Sequence, residues 1–144
     1  MPHLRLYVPE EWLADDFRVA AGFDASKLLN LLVEAVRDLR MENSAGAEVP
    51  VFNLGNLKHA IIGMRSAHVG GDASKYFLHI ALAAGNDTPG RTAAVRSRIA
   101  RTLGDVADRY TADVPNLASV TVHVQDIDRA RGYSTTAERT TIRE

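Results

Sequence analysis

The chain has 144 residues, 46% of them hydrophobic, and a formal net charge of −1 at pH 7. This length is typical of one domain with a substantial core, and the near-zero charge argues against a nucleic-acid partner, which would require a basic surface. Cysteine is absent, which excludes disulfides, thiolate catalysis and zinc–sulfur sites. Because the sequence lacks the pattern of a signal peptide and any apolar run long enough to span a membrane, we expect a soluble, cytoplasmic protein without membrane contacts.

The first half of the chain predicts one strand and one long helix. Residues 4–8 alternate between apolar and polar side chains, which is typical of a strand with one buried face. A short helical turn is expected near residues 12–14. Asp24 is a suitable N-cap for a helix that should end near residue 41. The apolar stripe of this helix contains Leu28, Leu29, Leu32, Val36 and Leu39.

Two neighbouring strands are predicted in the middle of the chain. Residues 49–57 are irregular, and residues 60–69 have the composition of a strand. The pair Gly70-Gly71 is a turn signal, and residues 75–83 form the next predicted strand. We therefore expect a hairpin that joins these two strands.

A second helix and a last strand follow. The segment 85–90 is a turn that also opens the helix, with Thr88 as N-cap and Pro89 at the first helical position. Valine alternates with polar residues in the last strand, over residues 120–127. Residues 128–144 are rich in Arg, Thr, Ser and Glu without a period, which predicts a polar C-terminal arm.

The element order is β-α-β followed by β-α-β, within a single domain of residues 1–127. This order predicts an α/β (α+β) fold in which two β-α-β units form a four-stranded sheet with two helices on one face. The other face of the sheet then stays uncovered although it carries apolar residues. We expect an oligomer to bury this face.

Pro2 follows the initiator methionine directly and precedes the first strand. If Met1 is removed, the chain begins with a secondary amine. An α-amino group has an ordinary pKa of about 7.7–8.0, and nearby cations lower it further. Such an amine can act as a general base at neutral pH. The alternative is that proline simply suits the start of a strand, since it has no N–H to donate.

Two arginines stand where chemistry could use them. Arg65 lies inside the otherwise apolar predicted strand 60–69, and Arg91 lies in the first turn of the second predicted helix. A cation in the first turn opposes the helix dipole, so the position is locally unfavourable and suggests a function. Arginine can hold a carboxylate through two parallel hydrogen bonds. The alternative for each arginine is an ordinary salt bridge.

The five histidines do not have the spacing of a metal site. We therefore expect no metal ion. His79 falls inside an apolar strand, which favours a hydrogen-bonded core histidine over a catalytic one.

Several segments together resemble the tautomerase superfamily, and within it the 5-carboxymethyl-2-hydroxymuconate isomerase family. The similar segments are Met1-Pro2-His3, Ile62-Gly63-Met64-Arg65-Ser66, the strand from Tyr76 to Leu82, Gly90-Arg91 with Arg96 and Leu103 after it, and the strand from Val120 to Ile127. They cover roughly the second half of the chain and its first residues. The segment from Pro9 to about Lys58 is matched only by its helix type.

The resemblance implies an isomerase of aromatic catabolism that moves a proton within an unsaturated 2-hydroxy or 2-oxo dicarboxylate. It implies that Pro2 is the acid and base, and that Arg65 and Arg91 bind the substrate. It also implies a homotrimer and no cofactor. The alternative is a non-catalytic binding module, either ferredoxin-like, which has the same element order, or tautomerase-like.

Overall fold

The computed structural model describes residues 2–52, 57–86 and 92–128. Its elements in chain order are β1 (His3–Pro9), a 3₁₀ helix (Glu10–Leu13), α1 (Asp15–Ala21), α2 (Ala25–Asp38), β2 (Arg40–Glu42), β3 (Glu48–Pro50), β4 (Lys58–Met64), β5 (His68–Val69), β6 (Asp72–Asn86), α3 (Ala93–Tyr110) and β7 (Leu117–Asp128).

Four long strands form the main sheet, in the order β4-β1-β6-β7. β1 and β4 are parallel, β1 and β6 are antiparallel, and β6 and β7 are parallel. The two-residue strand β5 adds a fifth strand by pairing with the first residues of β6. The main sheet therefore consists of two parallel pairs of strands, joined by the antiparallel pairing of β1 with β6. The prediction of two β-α-β units requires such parallel pairs.

This topology distinguishes the two folds that share the element order. In a ferredoxin-like module the β-α-β unit is split, so that another strand lies between its two strands. Here each unit keeps its own strands side by side, since β1 pairs with β4 and β6 pairs with β7. The structure confirms the predicted α+β fold and contradicts the ferredoxin-like alternative.

The predicted strand 60–69 is interrupted. β4 ends at Met64, and Ser66 has a φ of 53°, in the left-handed region that ends a strand. Arg65 therefore lies in a bend after β4, whereas the sequence predicted that it lies inside a strand. The predicted hairpin is correspondingly short, because only His68 and Val69 pair with β6, while β4 pairs with β1.

The helix boundaries also differ from the prediction. Asp24 is the N-cap of α2, and its carboxylate accepts hydrogen bonds from the N–H groups of Ser26 at 3.0 Å and Lys27 at 3.4 Å. The helix ends at Asp38, three residues before the predicted end near residue 41. The segment that follows the helix forms β2, which pairs with β3 in a second sheet. Residues 49 and 50, predicted as irregular, therefore belong to a strand, β3.

The second long helix begins later than predicted. Thr92 is the N-cap of α3, and its hydroxyl accepts a hydrogen bond from the N–H of Val95 at 3.2 Å. Thr88 is therefore not the cap, and Arg91 precedes the helix instead of lying in its first turn. Thr88, Pro89 and Arg91 lie outside the described residues, as does the predicted arm after Asp128.

The core fills the space between the helices and one face of the sheet, which we call the helix face. Even-numbered residues of β1 and β6 point to this face because side chains alternate along a strand. The fully buried side chains of the sheet and the helices include Leu4, Leu6, Leu28, Leu32, Leu78, Ile80, Leu82, Ile99 and Leu103. Burial of these leucines and isoleucines stabilises the fold through the hydrophobic effect.

The opposite side of the sheet, which we call the open face, is not covered by any helix of the described residues. It carries the odd-numbered side chains of β1 and β6 and their neighbours in β4 and β7: Lys58, Ala60, Ile62, His3, Arg5, Tyr7, His79, Ala81, Ala83, Thr121, His123 and Gln125. Most of these side chains are partly or fully exposed. The predicted uncovered face is thus mixed in polarity.

No helix within residues 2–52, 57–86 and 92–128 is both long and apolar enough to cross a membrane.

Candidate active site

Pro2 lies at the start of β1 and is buried. Its carbonyl oxygen accepts a hydrogen bond from the N–H of Lys58 at 3.0 Å, which aligns the beginning of β1 with the beginning of β4. The next residue, His3, is paired with Lys58 on one side and Ala83 on the other. The backbone of Pro2 is therefore fixed to β4, at what we call the Pro2 end of the sheet.

Cations surround this end. Burial lowers the pKa of His3, and the positive charges of Lys58 and Arg5 lower it further. The residue next to His3, Pro2, accepts a hydrogen bond from the backbone N–H of Lys58. Burial and positive charge both favour the neutral form of an amine.

Arg65 lies at the other end of the sheet. It follows Met64, which pairs with Pro9, whereas Lys58 at the beginning of the same strand pairs with His3. Six residues of a strand span about 20 Å. Within one chain, the structure therefore separates Pro2 from Arg65 instead of bringing them together.

The Arg65 side chain is 88% exposed, and its Nε lies 3.5 Å from a carboxylate oxygen of Glu10. An ion pair this exposed contributes little to stability. The guanidinium is therefore accessible to a ligand or to another subunit.

Arg91 is outside the described residues. The strand before it, β6, ends at Asn86, which pairs with Asp128 at the Pro2 end. The helix after it begins at Ala93. The structure does not test the predicted role of Arg91.

An ion pair that the sequence analysis did not single out also lies at the Pro2 end. The Arg96 guanidinium lies 3.4 Å from a carboxylate oxygen of Asp126, whose side chain is only 9% exposed. Asp126 pairs with Ala84 of β6, next to the residue that pairs with His3. The signal in the sequence was Asp126, the one acidic residue of the predicted strand 120–127.

His79 lies on the open face. The sequence had predicted that it lies in the core, so that prediction was wrong. Its Nδ1 is 2.6 Å from the hydroxyl oxygen of Thr121 on β7, and its ring packs on Tyr7 of β1 with a centroid distance of 5.5 Å. Partial burial lowers the pKa of His79, and the neighbouring His123 lowers it further. The neutral imidazole is therefore the form that the fold favours.

Acidification should destabilise the protein through these histidines. The pKa values of His3 and His79 lie below the ordinary 6.5 in the folded state, so the unfolded chain takes up protons first as the pH falls. Stability rises with pH wherever the unfolded state binds more protons. The loss should therefore begin near pH 6.5 and increase toward the lower folded-state pKa values, with no contribution above pH 7.

Urea unfolding at pH 7 and pH 5 measures this effect. We expect His79→Gln to lose less stability than the wild type between the two pH values. His59→Gln, which changes an exposed histidine of β4, serves as the control and should behave as the wild type does. If the stability of His79→Gln depends on pH as that of the wild type does, His79 does not contribute to the loss of stability at low pH.

Solved structures of similar shape identify the fold. The structure of a 5-carboxymethyl-2-hydroxymuconate delta-isomerase matches with a TM-score of 0.67 at 19% identity, over 96% of this chain and 89% of that chain. A 5-carboxymethyl-2-hydroxymuconate isomerase from Deinococcus radiodurans R1 matches with a TM-score of 0.62 at 17% identity, over 94% and 90%. A fused 4-OT wild-type symmetric trimer matches with a TM-score of 0.54 at 13% identity, over 88% and 87%.

No protein-family model matches the sequence, and no curated protein matches it. The similarity is thus one of three-dimensional structure, over nearly the whole chain of each isomerase. The chain has the tautomerase fold, which it shares with these 5-carboxymethyl-2-hydroxymuconate isomerases.

Proposed function

We propose that this protein is an isomerase that moves a proton within an unsaturated 2-hydroxy or 2-oxo dicarboxylate similar to 5-carboxymethyl-2-hydroxymuconate. The observation that carries the proposal is Pro2, which directly precedes the first strand of a fold shared with structures described as isomerases of that substrate. Aromatic catabolism is the corresponding metabolic role, and no cofactor is needed for proton transfer.

In this proposal the nitrogen of Pro2, freed by removal of Met1, is the general base. Burial disfavours the charged form of an amine, so the buried position of Pro2 favours the neutral base. A retained Met1 would turn that nitrogen into a tertiary amide without a basic lone pair. The proposal therefore requires that the methionine be removed.

The reaction needs one group that acts first as base and then as acid. The Pro2 nitrogen takes the proton of the substrate's 2-hydroxyl group, which leaves a dienolate with negative charge on oxygen and on alternate carbons. The protonated amine then returns the proton to a remote carbon, which produces the 2-oxo isomer. A guanidinium already in position stabilises the dienolate at little reorganisation cost.

The proposed arginines must reach that substrate from different places. Arg65 lies about 20 Å from Pro2 along the same chain, so it can bind the same substrate only if an adjacent subunit supplies it. A homotrimer that buries the open face provides such a neighbour. Arg91, five residues after the end of β6, is the proposed second carboxylate ligand from the chain that supplies Pro2.

Subunit mixing tests this arrangement. Arg65→Ala and Arg91→Ala should each lower kcat/KM by about ten- to a hundredfold, because a hydrogen bond to a charged group contributes about 1.5–3 kcal/mol. Coexpressed Pro2→Ala and Arg65→Ala chains should then recover about a quarter of the wild-type activity, since one site in four of a randomly mixed ring keeps both residues.

Arg37→Ala, which changes an exposed arginine of α2, is the matched control and should keep full activity. No recovery in the mixed trimers would exclude a site shared between subunits. Full activity of Arg65→Ala alone would remove Arg65 from the site. A complete lack of turnover of the wild type on 2-hydroxymuconate-type and phenylpyruvate-type enols would favour the non-catalytic tautomerase-like module.

A further inference from the structure

Glu10 and Arg65 are neighbours because two parallel strands end at the same level. Pro9, the last residue of β1, pairs with Met64, the last residue of β4. The residues that follow these two strand ends are Glu10 and Arg65. The Nε atom of Arg65 lies 3.5 Å from a carboxylate oxygen of Glu10, and this is the only ion pair of Arg65 within the part of the chain that the structure describes.

The 3₁₀ helix that begins with Glu10 packs closely on β4. A Cβ atom placed on Gly63 would lie 3.2 Å from the Cβ of Glu10 and 3.3 Å from a methyl carbon of Leu13, so a larger residue at position 63 would displace this helix. Two residues after Glu10, the indole of Trp12 is buried in the core. Packing therefore fixes the backbone of Glu10 next to the end of β4, independently of the exposed ion pair.

The ion pair uses one edge of the Arg65 guanidinium group. Arginine has one N–H on Nε and two on each terminal nitrogen, all in one rigid plane. With Nε facing Glu10, the edge formed by the two terminal nitrogens remains for another carboxylate, which it can hold through two parallel hydrogen bonds. Because the Arg65 side chain is 88% exposed, packing does not restrict its rotation.

We propose that Glu10 is a positioning residue, which holds the guanidinium of Arg65 with its terminal nitrogens toward a substrate carboxylate. This role rests on the proposed function, in which Arg65 acts in the site of an adjacent subunit. A long side chain that is already oriented loses less conformational freedom when the substrate binds. The ion pair is too exposed to stabilise the fold by much, so orientation of Arg65 is the role that its geometry supports.

The Glu10 carboxylate also has an effect of the opposite sign on a dicarboxylate substrate. Its negative charge repels the substrate, so loss of the charge alone should strengthen substrate binding. A variant that keeps the charge but withdraws the carboxylate from Arg65 isolates the orienting effect. Glu10→Asp is such a variant, because aspartate is one methylene group shorter than glutamate.

Steady-state kinetics of the full-length protein on 2-hydroxymuconate measure the orienting effect. Glu10→Asp should raise KM by about two- to tenfold, which corresponds to immobilising one long side chain on binding, and should change kcat less. In an Arg65→Ala background the same change should have no further effect, because Glu10 acts through Arg65. Glu34→Asp makes the same substitution at an exposed residue of α2 and should keep the wild-type KM.

An unchanged or lower KM in Glu10→Asp would overturn the positioning role, as would an equal rise of KM with and without the Arg65 side chain. A fall in melting temperature that accompanies the rise of KM would assign Glu10 to the stability of the fold instead. If the wild type does not turn over the substrate, the proposed function fails and the role of Glu10 fails with it. Wild-type turnover that Glu10→Asp leaves unaffected rejects the role of Glu10 alone.

Discussion

Replacing Pro2 by alanine should lower kcat for the dicarboxylate isomerisation by about 100-fold or more, the range that general acid–base catalysis contributes. The variant still begins with an amine, but a primary amine is a different base, and alanine lacks the ring that fixes the direction of the nitrogen. The fold should be unchanged, because the hydrogen bond at this position uses the carbonyl oxygen of residue 2, which alanine keeps.

Steady-state rates and circular dichroism of Pro2→Ala and wild type, compared at the same pH, measure this effect. Pro9→Ala removes the proline at the other end of β1 and should retain the wild-type rate. Intact mass must accompany each rate, since a chain that keeps Met1 should be inactive and should gain activity after aminopeptidase treatment. A wild-type rate in Pro2→Ala would exclude Pro2 as the base.

Replacing Trp12 by alanine should lower the free energy of unfolding by about 3–5 kcal/mol, the usual cost of deleting a buried large aromatic side chain. The indole is only 3% exposed. Its ring centroid lies 4.9 Å from that of Phe17 and 5.4 Å from those of Phe23 and Tyr76. The change therefore leaves a cavity between the 3₁₀ helix, α1 and the start of β6.

Equilibrium unfolding in urea at a fixed protein concentration checks this prediction, because the stability of an oligomer depends on concentration. Leu13→Ala alters the next residue, whose side chain is 45% exposed, and should cost less than about 1 kcal/mol. Similar losses of stability in Trp12→Ala and Leu13→Ala would show that the aromatic contacts of Trp12 do not anchor the 3₁₀ helix to the sheet.

The sequence alone predicted the elements that local patterns determine. The alternation in residues 4–8 correctly identified β1 and its buried face, and the stripe that includes Leu28 and Leu32 identified α2. The carboxylate of Asp24 caps that helix as predicted. These features depend on residues within a few positions of one another, which is why periodicity and capping rules find them.

Local patterns failed where a distant segment decides the outcome. Residues 60–69 have the composition of one strand, but β4 pairs with β1 while His68 and Val69 pair with β6, so the chain must bend between them at Ser66. Residues 48–50 become a strand only because residues 40–42 pair with them. Strand propensity does not name the partner strand.

For the candidate site too, the sequence predicted some features and only the tertiary structure decided others. The sequence by itself determined that Pro2 directly precedes the first strand. It placed Arg65 inside a strand, although the residue follows the end of β4. Only the tertiary structure decided the register of the parallel strands β1 and β4, which places Pro2 and Arg65 at opposite ends of the sheet. It also placed Ala81 and Ala83 on the open face, between the side chains of β1 and β7. The physical reason is that strand register is set by side chains of segments far apart in the chain, and it fixes which residues share a face and an end.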